Sequence, residues 1–329
     1  MLYLKLRLGK ELPRINAALE RATALLPAPA RPVAGHIFAA GGKRLRPFLV
    51  LLAARLLGYT GDDAYDLAVS MEMLHAATLL HDDVLDEATT RRGREAAHLR
   101  FGAKATILAG DALLATANHI VAGWDSPEMC ACFSAATAQT AGGEILEIQH
   151  MRDLEQGPEV YEEIVRGKTA WLLRSSCLMG ALCAKERGAV AGEVAQAHCA
   201  ALAAYGECLG MAFQMVDDAI DMAPESVTGK PTGGDIREGK LTPPIRLYRE
   251  SLPSGERADF DTAFAAGSFA DADIERIARG IRDKGFDTAT RALAGEYLDK
   301  ARAALATLPD GDERSLLNAM IDYVQNREK

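Results

Sequence analysis

Little in this chain favours a sheet. Only 6% of its 329 residues are aromatic, and Ala and Leu dominate over the β-branched residues, a balance that favours helix. Excess positive charge is also missing: 37 Lys+Arg stand against 46 Asp+Glu, a formal net charge of −9. So acidic a chain is a poor match for a nonspecific nucleic-acid binder or for a protein held on anionic lipid by charge. It leaves room for an anionic small molecule, which needs only a local cluster of Arg and Lys. None of the six cysteines (Cys130, Cys132, Cys177, Cys183, Cys199 and Cys208) forms a CxxC pair. Most lie in Ala/Leu-rich stretches and read as small buried hydrophobes in a reducing compartment. No signal peptide is expected, because Lys5 and Arg7 interrupt the apolar N-terminus. The longest apolar stretches, such as Phe48–Leu57, are broken by Arg55 and fall short of the ~20 residues that a membrane span needs. These absences point to a soluble, cytoplasmic protein with no transmembrane segment. With 49% hydrophobic residues, it can bury a substantial core without crosslinks.

Helical periodicity runs nearly throughout. It predicts helices over 10–26, 47–57, 103–122, 127–151, 159–186 and 190–222, and over 256–266, 272–283, 288–307 and 312–327. A further long helix, capped by Asp62-Asp63, runs through Met71 to Asp86. Three prolines in 27–35 break the chain after the first helix. Residues 226–244 (SVTGKPTGGDIREGKLTPP) are rich in Gly, Pro and charge and read as a loop, of a length usually reserved for function. The expected architecture is one all-α domain over 1–329, with a helical arm at 1–34 and a functional loop at 226–244.

The strongest chemical signal is acidic. In LLHDDVLD, Asp82 and Asp86 lie a turn apart on one helix face, with Asp83 beside them. Three carboxylates this close repel one another, and a helix C-terminus is the wrong end for them. One such motif could be a solvated acidic face. The pattern recurs, however, as Asp217, Asp218 and Asp221 in FQMVDDAID. Clusters of hard oxygen ligands suit Mg²⁺, which keeps waters and takes its remaining ligands from substrate phosphates. His81-Asp82 also resembles the dyad of HD-type phosphohydrolases. That class needs further spaced histidines, which His36, His75, His98, His119, His150 and His198 do not supply.

Phosphate chemistry needs cations as well. Lys43, Arg44 and Arg46 lie in GGKRLRP, Arg91 and Arg92 follow the first acidic motif, and Lys230 and Lys240 lie in the 226–244 segment. Arg forks suit diphosphate oxygens, and glycines let the backbone approach a ligand. No Ser/His/Asp or Cys/His arrangement competes with this reading.

Taken in order, GGKRLRP (41–47), HAATLLHDDVLDEATTRRG (75–93), LAGDALLA (108–115), GGEILEIQ (142–149), RGKTA (166–170), FQMVDDAID (213–221) and GKPTGGDIREGK (229–240) resemble the trans (E-type) isoprenyl diphosphate synthases, the polyprenyl synthetase family. The resemblance implies an all-α homodimer with a central cavity. Its activity would be the head-to-tail condensation of isopentenyl diphosphate with an allylic diphosphate such as farnesyl diphosphate, with two or three Mg²⁺ ions. Carried over, Asp82, Asp86 and Asp217 are direct metal ligands, and Asp83, Asp218 and Asp221 support them. Arg91, Lys168 and Lys230 bind the allylic diphosphate. Lys43, Arg46, His75 and Arg92 bind isopentenyl diphosphate. Thr169 and Gln214, with Lys168, stand near the developing allylic cation. Water would quench such a cation, and the 226–242 loop is expected to close the cavity against it.

The same resemblance addresses product length. Short-chain members place an aromatic residue at the position of Ala77 or Thr78, one turn before Asp82. The small pair here implies a long-chain product, for instance a quinone side chain, and Ala77→Phe is expected to shorten it. The alternatives are a farnesyl or geranylgeranyl diphosphate synthase, a terpene cyclase, which GGKRLRP and Arg92 disfavour, and a non-catalytic subunit of a heteromeric synthase, which two intact acidic motifs disfavour. His98 and Pro243 depart from the family pattern, where Asn and Leu are common.

Overall fold

A computed structural model describes residues 2–229 and 231–328. Strand among them is confined to a short antiparallel ladder, Thr90–Arg91 with Arg94–Glu95. The chain divides into two compact units. One contains the residues up to Ala138, Leu172–Ala203 and Leu305–Leu317. The other contains Gln139–Trp171, Ala204–Ala304 and the chain from Asn318 on.

In the first unit α1 (Leu2–Ala24) starts earlier than periodicity indicated. Leu4 is buried there, and packing stabilises turns that propensity alone leaves marginal. α2 (Arg31–Ala39) occupies the segment expected to be broken by proline. Its proline lies in the first turn, where the missing N–H is harmless and the fixed φ suits a helix. α3 (Leu45–Leu56) and α4 (Asp63–Leu85) are buried along most of their length and pack together. After a short α5 (Ala97–Phe101), α6 (Ala103–Ala122) lies along α4.

α7 (Pro127–Gln149), α9 (Trp171–Glu186) and α10 (Gly192–Asp221) bound the irregular region that matters most. The single helix expected over 159–186 is instead α8 (Pro158–Val165), a π-helical turn (Arg166–Ala170) and α9. π-Turns are rare and concentrate at functional sites. Glycines make room for this one: a Cβ at Gly143 would collide with the backbone at Gly167 and Lys168, and one at Gly210 would collide with Ala170.

The expected 226–244 loop holds two short helices, α11 (Glu225–Thr228) and α12 (Gly234–Glu238). They are followed by α13 (Pro243–Glu250), α14 (Ser254–Ala266), α15 (Asp271–Asp283), α16 (Phe286–Ala306) and α17 (Asp312–Gln325). Met222, Ile245, Phe260, Phe264, Ile277 and Ile281 form a core beneath this part of the second unit. Pro243 opens α13 at its first turn, a position proline suits.

Two helices, Ala103–Ala122 and Gly192–Asp221, are long and apolar enough to cross a membrane by length and composition, longer than the 48–57 stretch singled out from the sequence. The apolar window of α10 is 61% buried inside the protein and that of α6 only 39%, so α6 presents an uncovered apolar face that includes Ile107 and Leu108.

Candidate active site

Both acidic motifs occupy the last turn of a long helix, and neither turn carries a basic residue. The macrodipole disfavours anions there, so the carboxylates cost stability that some other function must justify. The structure separates them by environment. In the first motif Asp82 is half-buried and Asp86 is exposed, whereas Asp83 is wholly buried. The Arg91 guanidinium donates to Asp83 through Nε at 2.6 Å, and the other Asp83 oxygen is enclosed with no hydrogen-bond partner. Asp83 therefore orients Arg91.

Within the same unit Lys43 is exposed, while Arg46 and His75 are half-buried. Burial, followed by the fields of Arg46, Arg92, Arg91 and Arg44, holds the His75 imidazole well below its ordinary pKa, so it is neutral near pH 7. Burial likewise lowers Arg46 to about 10, with Glu72 opposing the shift and Arg92 adding to it. Arg92 is exposed, takes the left-handed conformation (φ 53°) and donates to the Gly41 carbonyl. These cations gather around the 41–46 segment. Ala77 is buried at 2% exposure, while Thr78 is half-buried and donates its hydroxyl to the His75 carbonyl at 2.9 Å.

The second unit holds a hydrogen-bonded cluster of its own. Tyr161 donates to Asp218 Oδ2 at 2.5 Å, Gln214 Nε2 donates to Asp218 Oδ1 at 2.8 Å, and Thr169 donates to Gln214 Oε1 at 2.9 Å. When Asp218 is ionised it accepts at both oxygens and fixes the polarity of this chain. The Gln214 amide nitrogen must face it, so the Thr169 proton is committed to the amide oxygen. Thr169 consequently keeps its lone pairs for whatever lies in the site. Burial raises Asp218 to about 7, against the donors Tyr161 and Gln214, and burial followed by Asp218 raises the Tyr161 phenol well above 10. Tyr161→Phe leaves Asp218 with one side-chain donor and is expected to cost about 1–3 kcal/mol of folding stability. An unchanged urea midpoint would refute that role for the hydroxyl.

Asp221 is equally committed to the fold. It accepts from the backbone N–H of Gly234 at 3.1 Å and of Asp235 at 3.0 Å, capping α12. Asp217 differs: its side chain is 41% exposed, and it pairs with Arg327 at 2.7 Å. The π-turn places Lys168 between Glu144 (2.7 Å) and Glu147 (2.5 Å), and Lys240 joins Glu147 (3.2 Å) to Glu238 (2.7 Å). Burial favours a neutral Glu147, but Lys240 and Lys168 outweigh it and hold the carboxyl below its usual range. Lys168, Thr169, Gln214, Asp218, Asp235 and Lys240 line one cavity with Tyr161. Lys230 lies outside the described residues.

The donor set fits a hard divalent cation. Among the described residues no three His, Cys, Asp or Glu side chains are placed to hold an ion alone, so water and substrate oxygens would complete its shell, as Mg²⁺ prefers. Sequence reasoning missed Tyr161, Glu144, Glu147 and Arg327 as parts of the site. Glu144 and Glu147 had a signal in their one-turn spacing within GGEILEIQ. Tyr161 and Arg327 had none.

Comparison with known proteins gives the class. The polyprenyl synthetase family model matches residues 29–279. The heptaprenyl diphosphate synthase component 2 of Geobacillus stearothermophilus is 33% identical over 322 residues, 98% of this chain and 97% of that relative. Among solved structures, the decaprenyl diphosphate synthase of Rhodobacter capsulatus is 36% identical with a TM-score of 0.90, covering 99% of each chain. The polyprenyl synthase of Caulobacter crescentus, solved with calcium and isoprenyl diphosphate, is 36% identical with a TM-score of 0.88 over 98% of each chain. The chain belongs to the polyprenyl synthetase family, and it is a prenyltransferase of the all-α isoprenoid synthase fold.

Proposed function

We propose that this prenyltransferase is a long-chain trans-polyprenyl diphosphate synthase, adding isopentenyl diphosphate head to tail to an allylic diphosphate such as farnesyl diphosphate, with two or three Mg²⁺ ions. The reading rests above all on the division of labour in the acidic motifs: Asp83, Asp218 and Asp221 accept hydrogen bonds from Arg91, from Tyr161 and Gln214, and from the backbone of Gly234 and Asp235, while Asp82, Asp86 and Asp217 stand at half-buried or exposed positions. Asp82, Asp86 and Asp217 would ligate Mg²⁺, which when bound neutralises charge on the departing diphosphate. Arg91, aimed by Asp83, and Lys168 bind that diphosphate, Lys168 exchanging Glu144 and Glu147 for it. Lys230 belongs to the same set. Lys43, Arg46, neutral His75 and Arg92 bind isopentenyl diphosphate. As the allylic C–O bond breaks, the lone pairs of Thr169, oriented through Gln214, face the positive carbon. The isopentenyl double bond attacks that carbon, and a proton then leaves to the departing diphosphate, so no side-chain base is needed.

Small residues at Ala77 and Thr78 support a long product, suited to a quinone side chain. The uncovered apolar face of α6 supports a homodimer, and six free thiols suit a reducing cytoplasm. The test combines farnesyl diphosphate, labelled isopentenyl diphosphate and Mg²⁺, with products resolved by length. Long labelled products, abolished by chelator, are expected. Products of a few units would assign the short-chain alternative. Incorporation only with an added second protein would assign the subunit alternative, and incorporation indifferent to chelator would overturn the metal-dependent reading.

A further inference from the structure

Arg44 sits in an unfavourable backbone conformation. Its φ of 48° and ψ of 40° are left-handed, at the residue that precedes α3. Glycine or asparagine would adopt them with less strain. What the arginine supplies is its guanidinium, which is turned inward: the residue is only 7% exposed. Nη1 donates to Glu72 Oε1 at 2.9 Å and Nη2 to the Phe38 carbonyl at 3.0 Å. The fork thus ties the turn to α4 and to the end of α2 at once. A lysine ammonium on a flexible stem does not reproduce that two-point grip.

Glu72, in turn, is 4% exposed and lies one turn before His75, on the same side of α4. Its charge acts on Arg46 and on Arg92 as well as on Arg44. The turn itself is clamped: a Cβ at Gly42 would lie 2.7 Å from Arg92 Nη1 and 3.3 Å from Arg44 Nη1. Three guanidinium groups and Lys43 therefore crowd a few residues of backbone, where the buried Glu72 carboxylate pairs with Arg44 and offsets the charge of Arg46 and Arg92. Without that carboxylate the cations would repel one another and the turn would lose its anchor.

We infer that Arg44 and Glu72 are positioning residues of the isopentenyl diphosphate subsite, a buried ion pair that fixes the turn from which Lys43 and Arg46 reach the ligand. The inference rests on reading Lys43, Arg46, His75 and Arg92 as that subsite. Preorganisation of this kind lowers the ordering cost of binding and leaves chemistry at the allylic end untouched.

The experiment measures isopentenyl diphosphate binding by calorimetry, steady-state constants for both substrates, and melting temperature, for the full chain and its variants. Arg46→Gln tests the subsite itself. If it leaves isopentenyl diphosphate affinity unchanged, the subsite reading fails before the positioning question arises. Arg44→Lys, which keeps the charge but loses the fork, is expected to raise both the Kd and the KM for isopentenyl diphosphate about tenfold, the worth of one charge-assisted hydrogen bond. KM for the allylic diphosphate and kcat should stay within about twofold. In the Glu72→Gln background the same substitution should add little, because residues that act through each other are not additive, and Glu72→Asp should recover part of the loss. Wild-type affinity in Arg44→Lys, a fully additive double variant, or parallel changes in both KM values would overturn the inference. If Glu72→Gln does not fold, the KM split in Arg44→Lys decides alone, and if neither variant folds the pair serves the fold and the inference falls.

Discussion

Asp217→Ala should lower isopentenyl transfer by about a thousandfold or more while moving the melting temperature little. The magnitude follows from its proposed place: a ligand whose loss removes several kcal/mol of charge stabilisation costs tenfold in rate for each ~1.4 kcal/mol. The small effect on folding follows from the structure. Asp217 gives the fold only a partly exposed ion pair with Arg327, and exposed pairs contribute little. Its removal also relieves repulsion in a helix C-terminal turn. Asp218→Ala should behave differently, because Tyr161 and Gln214 both donate to Asp218 in a buried setting, and each is left with an unmet donor. That variant is expected to lose stability as well as rate. Turnover, Mn²⁺ affinity and thermal unfolding, measured on both, separate the two. Equal losses of stability in Asp217→Ala and Asp218→Ala would refute the distinction between a ligand and a scaffold within one motif.

That distinction was invisible in the DDxxD spacing alone. Spacing places Asp82 and Asp86 on one face of α4, but it does not reveal that Asp83 is buried against Arg91. The partner lies in a small ladder after the helix, and the ladder exists because residues 90–95 fold back. Long helices such as 103–122 were legible because they carry a sustained period. The helix over Arg31–Ala39 was hidden because the three prolines of 27–35 read as breakers, although Pro32 lies where a helix begins. The π-turn was hidden for another reason. It depends on backbone contact among Gly143, Gly167 and Gly210 with their neighbours, and the sequence shows the glycines without their meeting. Most of the fold and the charged motifs could be read. Tyr161, Glu72 and Arg327 could not, since each matters only through a partner 57, 28 or 110 positions away.

Thr78→Phe should convert a long-chain product distribution into one of only a few isoprene units. Along α4, position 78 stands ~6 Å below Asp82, with Leu74 at ~12 Å and Met71 at ~16 Å, given 1.5 Å per residue. A tail growing along that helix meets position 78 first. The structure also separates the two candidate positions. Thr78 is half-buried, and its hydroxyl turns back on the His75 carbonyl. An aromatic ring there would occupy accessible space. Ala77, at 2% exposure, is packed in the core of its unit, so Ala77→Phe should cost about 1–3 kcal/mol through overpacking and shorten the product only as far as the helix shifts. Product length and urea midpoints, measured on both variants, discriminate between the positions. Thr78→Phe should change length with a near-native midpoint, and Ala77→Phe should change the midpoint first. An unaltered product from a well-folded Thr78→Phe enzyme would remove this face of α4 from the tail's path. Length control would then have to lie on another helix.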